Sequence, residues 1–187
     1  MRVITGSARG ASLKAPEGLD TRPTGEKVKE AVFSMLQFEL EGRRVLDLFA
    51  GSGQLGIEAL SRGAASAVFV DSGRAALDAV KQNVEHVRFT DRARIINSDC
   101  VTYLASLAAR GESFDIVFID PPYGKGLAEK ALGLAAAHVS PGGAVVCETA
   151  AEDPMPGGAG GLALTLDRRY GKTAIKVYRH IPAAQGE

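Results

Sequence analysis

The chain has 187 residues, 45% of them apolar, which is enough for one well-buried core and too few for two ordinary domains joined by a linker. Lysine plus arginine and aspartate plus glutamate number 22 each, so overall charge gives no reason to expect a nucleic-acid partner. Two cysteines, Cys100 and Cys147, argue against a disulfide framework and fit a reducing compartment, while the opening MRVITGSARG and the lack of any membrane-length apolar run predict a cytosolic protein without a membrane partner.

Residues 2–6 and 11–15 read as short strands around 7–10, an N-terminal β-hairpin with Arg9 at its tip. With the loop over 16–23 it makes an extension, 1–23, to a main domain over 24–187. Thr24 can cap a helix running to about Leu40, with Val28, Val32, Met35, Leu36 and Phe38 as its apolar face. From Arg43 onward strands and helices alternate: VLDLF, a helix from Gln54, SAVFV, a helix over 73–88, ARIIN, a helix over 100–110, FDIVFI, a helix over 125–138, then AVVCE. Five apolar strands with four crossovers predict a parallel α/β sheet covered by helices on both faces. The runs 162–170 and 173–180, joined by Tyr170-Gly171-Lys172, add a closing antiparallel hairpin and bring the predicted sheet to seven strands. Between them and the fifth strand, Asp153 to Gly161 holds four glycines and two prolines, enough to predict a mobile surface loop.

Charge is unevenly distributed. Residues 1–29 carry a net +3, residues 168–180 a net +5 with no acid, and the remainder −8. If the two ends meet in space they form a rim that attracts phosphate; the competing reading is ordinary solvated surface. His86, His138 and His180 are scattered without ligand spacing, so no metal is expected.

In open parallel sheets ligands bind at the carboxyl ends of the strands, where crossovers diverge. The first strand ends Asp47-Leu48-Phe49-Ala50-Gly51-Ser52-Gly53, and its glycines allow a tight turn beneath a ligand. Gly51, Gly53 and Gly56 satisfy the dinucleotide-loop spacing, so by itself the turn admits a nucleotide cradle or a plain strand-to-helix connection. Asp71, ending the second strand, can accept both hydroxyl protons of a ribose, and Asp99 with Cys100 can read an adenine edge or simply cap a helix. Acids at these positions favour a cationic ligand over a pyrophosphate. S-adenosylmethionine, with its sulfonium and ammonium, is the expected cofactor, and Asp47 can receive the ammonium directly or through water.

The fourth strand ends Asp120-Pro121-Pro122-Tyr123. An exocyclic amine on a nucleic-acid base is a poor nucleophile because its lone pair is delocalised into the ring. Asp120 can accept one amino hydrogen and the Pro121 carbonyl the other, aiming the lone pair at a methyl donor while the carboxylate stabilises the developing positive charge. The two prolines stiffen the turn and leave carbonyls free to face a ligand, and Tyr123 offers a ring for base stacking. The same loop geometry serves adenine N6 or cytosine N4 in DNA, although the chain offers little room for a DNA recognition module. A non-catalytic RNA-binding factor on the same fold is the alternative of a different class.

The chain resembles the bacterial RsmD-type enzymes, which methylate N2 of a guanine in 16S ribosomal RNA. The resemblance is carried by MRVITGSARG, RPTGEKVKEAVFSML (22–36), VLDLFAGSGQLGIEALSRGA (45–64), FVD (69–71), FDIVFIDPPY (114–123) and RRYGKTAIKVY (168–178). It implies a Rossmann-like class I methyltransferase fold and a methyl-donor site lined by Asp47, Phe49, Ala50, Gly51, Ser52, Gly53, Asp71, Asp99 and Cys100, with Asp120, Pro121, Pro122 and Tyr123 acting on guanine. Arg22 and Thr24 would border the entrance, Thr24 beside the donor, and Arg2, Arg9, Arg22, Tyr123, Arg169 and Lys172 would hold the substrate. The implied partner is 16S rRNA in the small ribosomal subunit, bound by a monomer. Three positions depart from the family's pattern: Thr5 in place of glycine, Lys29 in place of arginine, and Asp71 in place of glutamate. The second predicts a weaker planar contact with phosphate or with the donor's carboxylate.

Overall fold

The computed structural model describes residues 1–16 and 25–180. In chain order its elements are α1 (Glu26–Met35), β1 (Arg44–Leu48), α2 (Gln54–Ser61), β2 (Ser66–Asp71), α3 (Arg74–His86), β3 (Ala93–Asn97), α4 (Cys100–Arg110), β4 (Phe114–Ile119), α5 (Leu127–Ala135), β5 (Val139–Ala150), β6 (Gly158–Ala159), β7 (Leu162–Tyr170) and β8 (Thr173–His180). The strands form a single sheet in the order β3-β2-β1-β4-β5-β8-β7-β6. β1 to β5 pair in parallel, and β6, β7 and β8 join antiparallel. The direction of winding reverses beside β1, between its neighbours β2 and β4, which is where an open α/β sheet forms its crevice.

Alternation along the strands builds two cores. Val45, Phe69, Ile116, Phe118, Val146 and Ile175 face the side covered by the N-terminal segment and α1 to α3. Leu46, Leu48, Val70, Val117, Ile119 and Cys147 face α4 and α5. Gly56 is what lets α2 lie so close to β2, since a Cβ there would fall 2.3 Å from the Phe69 ring. The third glycine of the apparent dinucleotide spacing thus serves helix–sheet packing.

The structure departs from the sequence-based expectations in four places. The N-terminal hairpin is short: its two segments are joined by Val3 N–H to the Ala11 carbonyl, Leu13 N–H to the Met1 carbonyl and Gly10 N–H to the Val3 carbonyl around a single bridge, Arg2 with Ser12, and the amides of Ile4 and Thr5 donate to the Glu58 carboxylate at 2.7 and 3.0 Å. Helix α1 stops at Met35, with Gly25 at its N-cap, and Thr24 lies outside the described residues. Phe38, expected on the apolar face, falls in the turn beyond the helix and is 90% exposed, whereas Leu36 and Leu40 take the buried positions. The sheet has eight strands, since the glycine-rich run contributes β6: Gly158 pairs with Ala163 and Ala159 with Leu162. A Cβ on Gly158 would meet the Leu162 carbonyl oxygen at 2.5 Å, and Gly160 and Gly161 supply the two positive-φ residues that turn the chain into β7. Tyr178 pins the preceding residues through its hydroxyl to the Pro156 carbonyl at 2.9 Å. Among the described residues no helix is long and apolar enough to cross a membrane.

Candidate active site

In the sheet Leu48 stands beside Ile119, so the next residues, Phe49 and Asp120, leave β1 and β4 side by side. The turn after β1 is built on left-handed backbone: Phe49 has φ 62°, Gly51 φ 56° and Gly53 φ 75°. Phe49 is not a glycine, and a side chain held in this region stores strain of the kind found at ligand sites. The turn is cross-linked to its neighbours. Ala50 N–H donates to the Val70 carbonyl at 3.0 Å, while the Asp71 carboxylate accepts from Gly51 N–H at 2.9 Å and from Gly73 N–H at 2.8 Å. A Cβ added to Gly51 would meet only the Phe49 carbonyl, at 3.9 Å, so open space lies above the turn and a ligand can approach the backbone there.

Asp47 sits beneath this turn, 1% exposed, with one oxygen accepting from Gly56 N–H at 2.9 Å. Burial raises its pKa to about 7, the Gly56 hydrogen bond opposing and the Asp71 charge adding to the shift. Just after β3, Asp99 caps α4 by accepting from Thr102 N–H at 2.9 Å, and hydrogen bonding from the Thr102 side chain first, then from its amide, holds the Asp99 carboxyl below the ordinary range. Cys100 is buried behind it. Asp71 and Asp99 therefore follow one another along the carboxyl side of β2 and β3, with Asp47 buried beneath the turn after β1, an acidic arrangement that suits a ligand bearing a sulfonium and an ammonium.

Beyond β4, Asp120 is half-buried, Pro121 buried, Pro122 exposed and Tyr123 half-buried. The Tyr123 hydroxyl donates to Glu148 Oε1 at 2.8 Å and shares a hydrogen bond with Thr173 Oγ1 at 3.2 Å. Burial first, and the Glu148 charge with it, holds the phenol well above its ordinary pKa, so it stays a neutral donor that anchors the ring to β5 and β8. Next to the loop lies a cavity of about 170 Å³ walled by Pro121, Pro122, Tyr123, Glu148, Thr149 and Met155 among others.

Of the residues expected to hold the substrate, Arg169 and Lys172 stand at the β7–β8 turn, close to Thr173 and hence at the end of the sheet that carries the Asp-Pro-Pro-Tyr loop. Arg169 pairs there with Glu152, and the Lys172 carbonyl accepts from Ala151 N–H. Arg2 is near the first turn, paired with Glu26 at 3.3 Å, its neighbour Met1 touching Ser52. Arg9 is not brought to the site. Ser7 and Ala8 bond to Ser61 at the C-terminal end of α2, which places Arg9 by the amino ends of the strands, roughly 12 Å of helix away from the glycine turn. Arg22 and Thr24 lie outside the described residues.

The basic rim is also thinner than its charge count implies, since Lys176 is buried against Asp167 and Arg179 pairs with Glu39. Lys29 is engaged inside the fold: it is 1% exposed, donates to the Arg2 carbonyl at 2.6 Å and lies 3.6 Å from Glu58.

Three residues of the site escape a reading of motifs. Asn83 of α3 donates to both the Ser52 and Lys14 carbonyls, at 2.8 and 2.9 Å, and so ties the glycine turn to the N-terminal segment. Thr173 has no distinguishing sequence signal. Glu148 has one: like Asp71 and Asp120, it is an acid closing an apolar strand.

The winding reversal at β1, the glycine turn there and the Asp-Pro-Pro-Tyr loop beside it define a Rossmann-like class I methyltransferase, the class whose methyl donor is S-adenosylmethionine. The family model described as conserved hypothetical protein 95 matches residues 1–179, and the chain belongs to that family, the RsmD-type methyltransferases. It is 41% identical to YlbH of Bacillus subtilis over 96% of this chain and 98% of that protein. It is 33% identical to the ribosomal RNA small subunit methyltransferase D of Escherichia coli, over 100% of this chain and 92% of that one. Among solved structures, Escherichia coli yhhF superposes with a TM-score of 0.83 at 33% identity, covering 96% of this chain and 97% of the other.

Proposed function

We propose that this enzyme transfers a methyl group from S-adenosylmethionine to the exocyclic N2 of a guanine in 16S rRNA, acting in the cytosol as a monomer on the small subunit during or after its assembly. The observation that carries the reaction is the Leu48–Ile119 register, which sets donor turn and amine-binding loop shoulder to shoulder. The ribosomal substrate is supported by the small-subunit methyltransferase relatives. The donor supplies the electrophilic methyl; the protein supplies place and charge. Phe49, Ala50, Gly51, Ser52 and Gly53 hold the donor against the turn, with Asp71 at its ribose and Asp99 and Cys100 at its adenine. The Asp120 carboxylate and Pro121 carbonyl accept the two amino hydrogens, and Tyr123 supports the base. Arg2, Arg169 and Lys172 meet the RNA backbone.

Tritiated donor offered with small subunits, protein-free 16S rRNA and duplex DNA, followed by nucleoside mass spectrometry, tests this. N2-methylguanosine formed best on subunits is the expected product, since a small enzyme borrows specificity from its substrate's shape. Label in N6-methyladenine, or only in DNA, overturns the reading.

Asp47 adds a pH dependence. Its folded-state pKa of about 7 lies above the ordinary carboxylate value, so the unliganded protein keeps a proton there that the unfolded chain has already released, and this group's contribution to stability declines as pH rises towards 7. A donor ammonium selects the anion. Donor affinity should therefore increase by up to about tenfold per unit between pH 5.5 and 7, and in Asp47→Asn this rise should vanish. Calorimetric titration in buffers of different ionisation enthalpy checks it through the proton released on binding.

A further inference from the structure

We propose that Arg44, Arg94 and Arg110 form a second RNA-binding point, at the end of the sheet opposite the Asp-Pro-Pro-Tyr loop, which holds a backbone phosphate of rRNA far from the methylated base; this step rests on the rRNA reading above. Arg44 opens β1, Arg94 lies near the start of β3 and Arg110 ends α4. Arg44 stands beside Ser66 and Arg94 beside Val68, on the two sides of β2, so both side chains share the face on which Leu46 and Val68 meet α4. The three guanidiniums converge there on one carboxylate, Glu112: Arg110 at 2.7 Å, Arg94 at 3.6 Å and Arg44 at 3.8 Å. Neighbouring Arg43 has an acid of its own, Asp115.

Charge and hydrogen bonding both set this cluster apart from ordinary surface ion pairs. Three cations share a single anion, and they do so in the part of the chain whose residue count is net acidic. The anion also lies behind the cations: the Glu112 side chain is 18% exposed and the arginine side chains 38 to 49%, so the outer surface is cationic. Arg110 donates to Glu112, but the guanidiniums of Arg44 and Arg94 reach it only at ion-pair distance and make no hydrogen bond among the described residues. Each presents five N–H donors in a planar fork that matches phosphate oxygens. Arg44 lies over the Phe114 ring at 5.4 Å and Arg110 over the Tyr103 ring at 5.5 Å. Both rings are buried, so these two forks are held in place before a ligand arrives. A phosphodiester brings the negative charge and free oxygens that the surplus calls for. The six residues of β4, roughly 20 Å of strand, separate this cluster from Asp120. Contacts at opposite ends of the sheet let a small enzyme recognise the shape of a folded RNA.

The test measures binding of the full chain to protein-free 16S rRNA and to small subunits over a series of salt concentrations, with steady-state methylation of subunits alongside. Arg44→Gln combined with Arg94→Gln should weaken binding to both by about tenfold and reduce the slope of log K against log salt by roughly 1. KM for subunits should rise in proportion, while kcat and donor affinity stay within about twofold of wild type. Glu112→Gln removes the competing anion and should tighten rRNA binding by about threefold or more. Unchanged rRNA binding by the double arginine variant, or no gain by Glu112→Gln, overturns the proposal and leaves the cluster a brace between α4 and β4. Weaker binding to subunits with none lost on protein-free rRNA overturns it too, since the arginines then meet a ribosomal protein. If the double variant does not fold, Glu112→Gln decides alone. Wild-type enzyme that methylates no rRNA overturns the functional reading itself, a result visible before any variant is made.

Discussion

Replacement of Asp120 by alanine is expected to lower kcat by about 10³-fold while the dissociation constant of the methyl donor changes less than about threefold. The two effects separate because Asp120 follows β4 in the loop proposed to take the amine, whereas the turn proposed to take the donor follows β1 and is held by Val70 and Asp71. An amine conjugated to a purine ring becomes cationic as the methyl arrives. A carboxylate placed at its hydrogens therefore stabilises the transition state far more than the neutral ground state. Asp120→Asn keeps an acceptor but not the charge, and should retain on the order of 1–10% of the rate. Single-turnover measurements on small subunits, with donor binding followed by calorimetry, check both parts. An alanine variant with undiminished rate would remove Asp120 from the reaction.

Glu58→Ala is expected to destabilise the protein by about 3–5 kcal/mol, which for a chain of this size is a fall in Tm of roughly 6–20 °C. Glu58 is 0% exposed and gathers four donors: the Ile4 and Thr5 amides, Arg62 at 2.8 Å and Lys29 at 3.6 Å. Burial already pushes the Lys29 ammonium below its ordinary pKa, with the Glu58 charge as the main opposing influence. Removing the carboxylate strands that cation and two amides together. Glu58→Gln, which still accepts, should cost less, and Lys29→Met combined with Glu58→Leu should recover part of the loss, since a well-packed apolar pair can replace a buried ion pair. Thermal melts at one pH rank the three.

The alternation of apolar strands with helices was legible because each strand is buried on both faces and reads as an unbroken apolar run. The candidate site was legible for a related reason: Asp71 and Asp120 close such runs, and acids there, at the carboxyl ends of neighbouring strands, mark the crevice of an open sheet. Glu148 carries that signal too, but without a motif around it.

What stayed hidden depends on which surfaces meet. Lys29 and Glu58 look like solvated helix charges until α1, α2 and the N-terminal segment are packed together. Arg9 looks like part of a basic rim until the segment carrying it is seen to run down α2 to the wrong end of the sheet. The glycine-rich run reads as a loop because β6 is made by backbone alone, with no side-chain pattern to announce it.

The way the N-terminal segment is attached sets an order of events during synthesis. Ile4 and Thr5 find their acceptor at Glu58, and Lys14 finds its partner at Asn83, 69 residues further along. During synthesis Ile4, Thr5 and Lys14 must therefore wait until α2 and α3 have been made and docked on β1 and β2 before they can settle. Closing so long a loop comes after the local crossovers have formed, not before. Since the Lys14 anchor, Asn83, also holds Ser52 of the glycine turn, the settling of the N-terminal segment and the fixing of that turn fall in the same late step.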